Sequence, residues 1–475
     1  MVGALTGAVH AQDDAALIKD VVTKLNSSEA VRGTDDIKSY KVLFDAYLQL
    51  TKPPFEIGPD FNLSTIHPKM STWSAVSGWA ESNAPMAQAI LKCKDKTLLG
   101  LPYGRDAVDA TYAKADLVAD VGAGGSLRNV QFPYLNAIDT IQAFTTAEMY
   151  RLLEAGQMQQ AIDLGVANCF VLRQICDRDF LTEKLRAIEL LSSALSNLRD
   201  MLYTYQDKFE AGQLSAVAMK EMPFLRPDRG RLFMPEADRI LAEALIKDVF
   251  NARNGEADPD KFTVTFAEIQ SKDAPLTRFG AAKRWRAIAA IHGSLDASLE
   301  RLKLIYDDWW RRWRIDAYDS ILAIPTQLDR TNPIRYAAVI YSIENVEVLF
   351  EIRNRLIAEV NGTALAAGLC GYRKTFGVYP DKTEKTFGQS ARKISDSDPY
   401  DKELLPLKYR LLDQRQAVDT PAGRLWIEAG EGLLWSQGQD HEDQRVVQHT
   451  DDGAAGDIMI WPPVKALQRA QGLIQ

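Results

Sequence analysis

The sequence predicts a mainly α protein, with a multi-helix body followed by a small α+β C-terminal domain. Three observations carry this. Apolar residues recur at helical spacing through the middle of the chain, as at Ile162, Val166, Phe170 and Leu172, then Leu185, Ile188, Leu191, Leu195 and Leu198. After Pro380 the pattern becomes the two-residue alternation of half-buried strands, with Leu425 and Ile427, then Leu433 and Trp435. The composition is that of a folded chain with ample core material: 475 residues, 46% hydrophobic and 25% charged.

The first eleven residues, "MVGALTGAVHA", end in small residues and read as the remnant of a secretory signal. The expected location is therefore outside the cytoplasm, in the periplasm or cell envelope. Residues 12–130 form a mixed helical segment cut by Pro and Gly, as in "TKPPFEIGPDF" and "LLGLPYGRDA". Gly122, Gly124 and Gly125 follow with no GK[ST] motif and no clear preceding strand, so they read as a turn and not as a phosphate cradle.

Residues 131–360 carry the helical body. Gly156 marks a helix end, with the next helix starting at Gln157. The paired helices resemble the units of tetratricopeptide-like arrays, without a clean 34-residue period. Within "LIYDDWWRRWRIDAYDS", Trp309 and Trp313 extend a stripe from Leu302 and Tyr306. Two readings stand. Trp309, Trp313 and Arg312 form a surface for a glycan or a partner, through stacking and guanidinium contacts. Alternatively, the helix is packed and its arginines cover tryptophan edges.

Residues 361–475 form the tail. Strand candidates are "LPLKYRLL", "GRLWIEAG", "GLLWSQ" and "DIMIWPP". Between the last two lies "GQDHEDQRVVQHTDDGAAGD", crowded with acids and glycines. Carboxylates brought together in one folded loop repel, and a divalent cation relieves that repulsion. The other reading is a solvated loop with its charges outward. "SDSDPYDKELL" also spaces acids at Asp396, Asp398 and Asp401, but it lacks the central Gly and final Glu of an EF-hand and reads as an Asp-Pro turn.

The tail resembles the soluble domain of the major pseudopilin of type II secretion. Tyr372, Gly377, Tyr379 and Pro380 match the turn that ends the family's helix. Asp398, Pro399 and Tyr400, then Pro406, Leu407 and Tyr409, match its second segment. Gly438, Asp440, Asp457, Ile458 and Trp461 match its acidic loop and closing strand. The match covers about a fifth of the chain, and the order of the three motifs is more specific than any one of them. The resemblance implies a pseudopilin-like α+β fold and a Ca2+ ion in the loop. Asp440 and Asp457 are the first side-chain ligands it implies, followed by Asp451 and Asp452. His441 stands where the family has Gly, and the family's N-terminal apolar helix with its processing site does not precede the matching segment. Entry into a pseudopilus in the usual way is therefore not expected. The whole chain loosely resembles large exported planctomycete proteins that join a helical body to such a tail.

Composition and motifs exclude several classes. A net charge of -8 argues against general nucleic-acid binding. No run reaches the roughly 18 apolar residues of a membrane span. The nearest, "YAAVIYSIENVEVLF", is broken by Glu344, Asn345 and Glu347. None of the five histidines lies in HExxH, and no GxSxG occurs. His441 and His449 read either as a transition-metal pair or as plain loop residues. Cys93, Cys169, Cys176 and Cys370 form no CxxC pair and read as buried free thiols, with a Cys93–Cys370 bridge left open. The expected function is that of a non-catalytic exported scaffold or protein-interaction protein with a calcium-stabilised loop. The alternative is a glycan-binding or glycan-processing envelope protein with an aromatic cleft.

Overall fold

A computed structural model of the chain describes residues 15–57, 62–225, 234–273, 278–315, 319–393, 397–450 and 453–474. The signal-like residues 1–11 lie outside them. The described chain is mainly helical with a small sheet-containing C-terminal region, and no helix among the described residues is long and apolar enough to cross a membrane.

A helix over 15–26 (α1) opens the chain. Short helices α2 (Tyr40–Tyr47), α3 (Trp73–Ser82), α4 (Ala84–Cys93) and α5 (Ala110–Lys114) follow. The glycine turn sits at the tip of a hairpin between β1 (Asp120–Val121) and β2 (Val130–Gln131), strands too short to show alternation in the sequence. Next come three long helices, α6 (Tyr134–Glu154), α7 (Met158–Cys176) and α8 (Leu181–Thr204), with α7 packed on both neighbours. Gly156 takes φ +77° just past α6, as its C-terminal position requires.

The body continues through α9 (Ala211–Ala216), a π-turn over Val217–Glu221, α10 (Met222–Leu225) and α11 (Ala237–Asp248). An adjacent pair, α12 (Pro259–Asp273) and α13 (Arg278–Ala289), precedes α14 (Leu295–Trp313), α15 (Ala337–Ile340) and the long α16 (Val348–Phe376). The body–tail boundary expected at 360/361 falls inside α16.

Every residue of α16 from Ala358 to Gly371 is buried. A helix apolar on all sides belongs to an interior, and α16 packs against α8, α9 and the tail sheet at once. Small residues make this close approach possible. A Cβ on Gly362 would lie 2.4 Å from Ile460, and one on Gly368 would lie 2.7 Å from the Ala391 Cβ and 3.0 Å from the Ser390 carbonyl oxygen. Polar residues on this stretch find partners, although the Asn361 Oδ1 has none among the described residues. Glu359 pairs with Arg199 and Arg355, each at 3.3 Å, and Asn361 donates to the Ser397 carbonyl at 2.8 Å.

The tail contains an antiparallel sheet in the order β3 (Lys408–Leu411), β6 (Gly432–Ser436), β7 (Ile458–Trp461), and a separate hairpin of β4 (Gln416–Thr420) and β5 (Gly423–Ile427). A last helix, α17 (Val464–Ala470), returns to the body, where Arg469 pairs with Asp200 of α8 and donates to the Ser64 carbonyl at 3.3 Å. Strand β6 is buried along its whole length, not on one face only. Leu434 joins the main core with α16, whereas Leu433 and Trp435 join a second cluster with Val418, Leu425 and Ile427 of the hairpin. The central sheet thus lies between a helix and a hairpin. All four cysteines are free and buried, so no Cys93–Cys370 bridge forms.

Gly368→Ala should destabilise the protein by ~1–3 kcal/mol, because the added methyl meets backbone that cannot yield. Gly212→Ala, where a Cβ would meet nothing within 4 Å, should be neutral or stabilising by up to ~1 kcal/mol. Urea midpoints of the two variants test the contrast.

Candidate functional site in the acidic loop

The three motif segments of the tail come together in space. Gly377 ends α16 in the left-handed region at φ +79°. Tyr379 beyond it is buried, and its hydroxyl accepts from the Trp461 indole at 3.3 Å. The Tyr409 hydroxyl donates to the Pro380 carbonyl at 2.7 Å. Asp398 is fully buried and accepts from the Ser436 hydroxyl at 2.8 Å and from the Gln437 and Tyr400 backbone N–H groups, both at 3.1 Å. Asp398 is therefore committed to holding the Asp-Pro turn onto the end of β6.

The acidic loop leaves β6 at Gly438 and returns at β7. Gly438 (φ +72°) lies against the backbone of the returning arm, where a Cβ would be 2.5 Å from the Gly456 carbonyl oxygen and 2.8 Å from that of Gly453. Only glycine allows this approach. Residues 447–449 run along β4, with the Asp419 N–H donating to the Val447 carbonyl at 2.9 Å and the His449 N–H to the Asp419 carbonyl at 2.9 Å. Arg445 and Val446 both take φ +58°, an unusual conformation for side-chain-bearing residues and most costly for a β-branched one. That conformation accompanies a Val446 N–H that donates to Asp457 Oδ2 at 2.6 Å.

Asp457 is fully buried, and its Oδ1 has no hydrogen-bond partner among the described residues. Burial pushes its carboxyl up to about 7. Asp443 and Asp440 add to the shift, and the backbone N–H groups of Val446 and Gln444 oppose it. Asp440 is half-buried, accepting from the Glu442 N–H at 3.0 Å and the Gln444 side chain at 2.7 Å. Asp443 accepts from the Trp435 indole at 3.0 Å. Asp451 and Asp452 lie outside the described residues. Among the described residues no three His, Cys, Asp or Glu side chains already converge as a metal group. The two loop histidines have separate partners. His441 Nδ1 lies 3.1 Å from the Tyr400 carbonyl, and His449, buried, accepts from the Met459 N–H at 3.1 Å.

The tryptophan helix corrects the surface reading. Trp309 is fully buried and donates to Glu347 at 3.1 Å. Trp313 is buried beside Phe350, with the Arg353 guanidinium 4.4 Å from its ring centroid. Arg312 is buried against Asp308 at 3.1 Å and the Ile324 carbonyl at 2.7 Å. These three residues spend their groups on the core, because the stripe that places two tryptophans one turn apart faces inward with Leu302, Ile305 and Tyr306.

A buried charged node escaped the sequence reading. At the α7–α8 turn, "CDRDF" places Arg178 fully inside, 2.9 Å from Glu183 and with its guanidinium 3.9 Å from the Tyr103 ring centroid. Glu183 also accepts from the hydroxyls of Tyr103 at 2.8 Å and Tyr134 at 2.6 Å. Most buried acids have such a basic partner: Asp177 has Arg173, Asp308 has Arg312, and Glu148 has Arg151. Asp238 of α11 has none among the described residues. It accepts the Leu181 N–H at 2.8 Å, and burial pushes its carboxyl up to about 7, with Glu344 and Glu183 adding to the rise.

Set against known proteins, the chain matches no family model, no curated protein and no solved structure.

Two outcomes follow from this geometry. Trp313→Ala should cost ~3–5 kcal/mol, as buried aromatic truncations do, read by chemical denaturation. For Asp238, a folded value near 7 against an ordinary carboxylate near 4 means that the folded state holds the proton more tightly. Its contribution to stability is present below about pH 4 and is lost as pH rises to about 7. Denaturation midpoints at acid and neutral pH should therefore fall less steeply with pH in Asp238→Asn than in the wild type.

Proposed function

We propose that the chain is a non-catalytic exported scaffold or protein-interaction protein of the periplasm or cell envelope. A tetratricopeptide-like helical body serves a protein partner, and a pseudopilin-like tail is held by Ca2+ at the acidic loop. The observation that carries the calcium reading is Asp457 Oδ1, a buried carboxylate oxygen left without a donor beside two further acids. A buried polar atom of this kind is costly unless something satisfies it. Calcium takes six to eight oxygens from carboxylates, carbonyls and water. Asp457 and Asp440 would hold it, with Asp451 and Asp452 implied by the resemblance, and loop carbonyls are at hand in Gly453 and Gly456. The ion would supply positive charge where the acids repel one another. The buried Trp309 and Trp313 withdraw the groups on which a glycan reading rested.

The test is the melting of the full chain in calcium and in chelator. Calcium at ~100 times its Kd should add roughly 2.7 kcal/mol. Asp457→Asn and Asp440→Asn should each remove most of the difference, and magnesium should replace calcium poorly because it demands tighter octahedral geometry. Identical melting of metal-free wild type in both conditions would overturn the reading and leave an acidic loop held by its own hydrogen bonds.

A further inference from the structure

We propose that the cavity between the β1–β2 hairpin, the start of α8 and α11 binds a small organic ammonium ion, held by Asp238 against aromatic walls. The cavity has a volume of about 660 Å³, within the size range of small-molecule sites. Two ring pairs line it. Phe132 and Phe180 pack at 5.2 Å between centroids, and Phe266 and Tyr341 at 6.4 Å. Its acids are Asp238 and Glu344.

Most buried carboxylates elsewhere in the body are met by a basic side chain, as Glu183 is by Arg178 and Glu359 by Arg199. Asp238 is also buried, yet among the described residues it is held by backbone N–H groups, Leu181's at 2.8 Å, and its charged neighbours are further acids. A cation seated in the cavity supplies the missing counter-charge. The ring walls favour one with an organic body, because ring faces attract ammonium groups. Arg128, the basic residue of the lining, already uses Phe266 in this way, with its guanidinium 5.5 Å from the ring centroid, and it is tied to the Thr265 carbonyl. A second polar group is open: the buried Ser342 Oγ has no hydrogen-bond partner among the described residues. A hard metal ion, which asks for six or more oxygens, would leave the four rings of the cavity wall unused.

The test is calorimetric titration of the full chain at pH 8 with choline, with benzyltrimethylammonium, and with dimethylbutanol, the neutral carbon isostere of choline. At least one ammonium probe should bind, and the alcohol should bind at least about tenfold more weakly than choline if choline binds. Asp238→Asn keeps an acceptor for the Leu181 N–H but loses the charge, so it should weaken ammonium binding by at least about tenfold. Asp457→Asn, in the tail, should leave it unchanged, which separates this proposal from the calcium reading. Tyr341→Ala removes a part-exposed wall and should also weaken binding, and it decides the matter if Asp238→Asn fails to fold. Absence of ammonium binding, equal binding of choline and the alcohol, or wild-type affinity in the substituted cavity would overturn the proposal.

Discussion

The fold depends on one geometric constraint: three layers must all touch α16. A helix that is buried over fourteen consecutive residues, Ala358 to Gly371, fixes how near its neighbours can come by the size of its own side chains. Here that size is close to the minimum. Gly362 admits Ile460 of β7, Gly368 admits the 390–391 backbone, and Gly371 admits Leu214 and Ser215 of α9. The body and the tail sheet are therefore packed on the same rod. Arg199 makes the polar half of this joint, donating to Thr363 at 2.7 Å while paired with Glu359. Ordering of the acidic loop bears on this joint through β7, whose Ile458 and Ile460 lie in the main core.

The charged node at the α7–α8 turn has a different task. A buried ion pair is weak evidence of net stability, because the desolvation of both charges offsets their attraction. Breaking one is another matter, since it strands a charge in the interior. Glu183 accepts from Arg178, Tyr103 and Tyr134 together, so it ties the 101–103 segment and the start of α6 to the start of α8. The Asp179 N–H donates to the Tyr103 hydroxyl at 3.0 Å, and its carbonyl accepts from the Ala237 N–H at 3.1 Å. Four segments distant in sequence thus share one set of hydrogen bonds. Such a set disfavours any other register more strongly than apolar contacts would.

The parts legible in the sequence were those governed by local periodicity and by backbone chemistry. The long stripes of α7 and α8, the glycine ends at Gly156 and Gly377, and four of the five tail strands were visible in this way. The parts that were not legible are those that tertiary context decides. Asn361-Gly362 reads as a break between two helical pieces, because that dipeptide favours turns. In the fold it lies inside α16, since Asn361 finds the Ser397 carbonyl and Gly362 finds Ile460. Strand β4 was missed because "QAVDT" has a single strongly apolar residue, Val418, which is buried against the hairpin side of the sheet. Nothing in the sequence singles out Arg178 and Glu183, because such residues are seldom interior. The tryptophans were ambiguous because helical spacing says that two side chains share a face, not which way that face points.

Asp238 and Asp457 show why a shared anomaly need not mean a shared ligand. Each carboxyl is buried, each is pushed up to about 7, and each has acids for charged neighbours. A fold gains nothing in stability from ionising either one at neutral pH, so the charge has to be offset by something bound or given up by protonation. The surroundings then separate the two cases. Asp457 has Asp440 and Asp443 for neighbours, and in the calcium proposal these hard oxygens suit a small divalent ion. Asp238 sits in a cavity walled by four rings, a setting that offers a broad attractive surface to a diffuse monovalent charge. In both proposals the donor set around each acid, and not the raised carboxyl itself, selects the ligand.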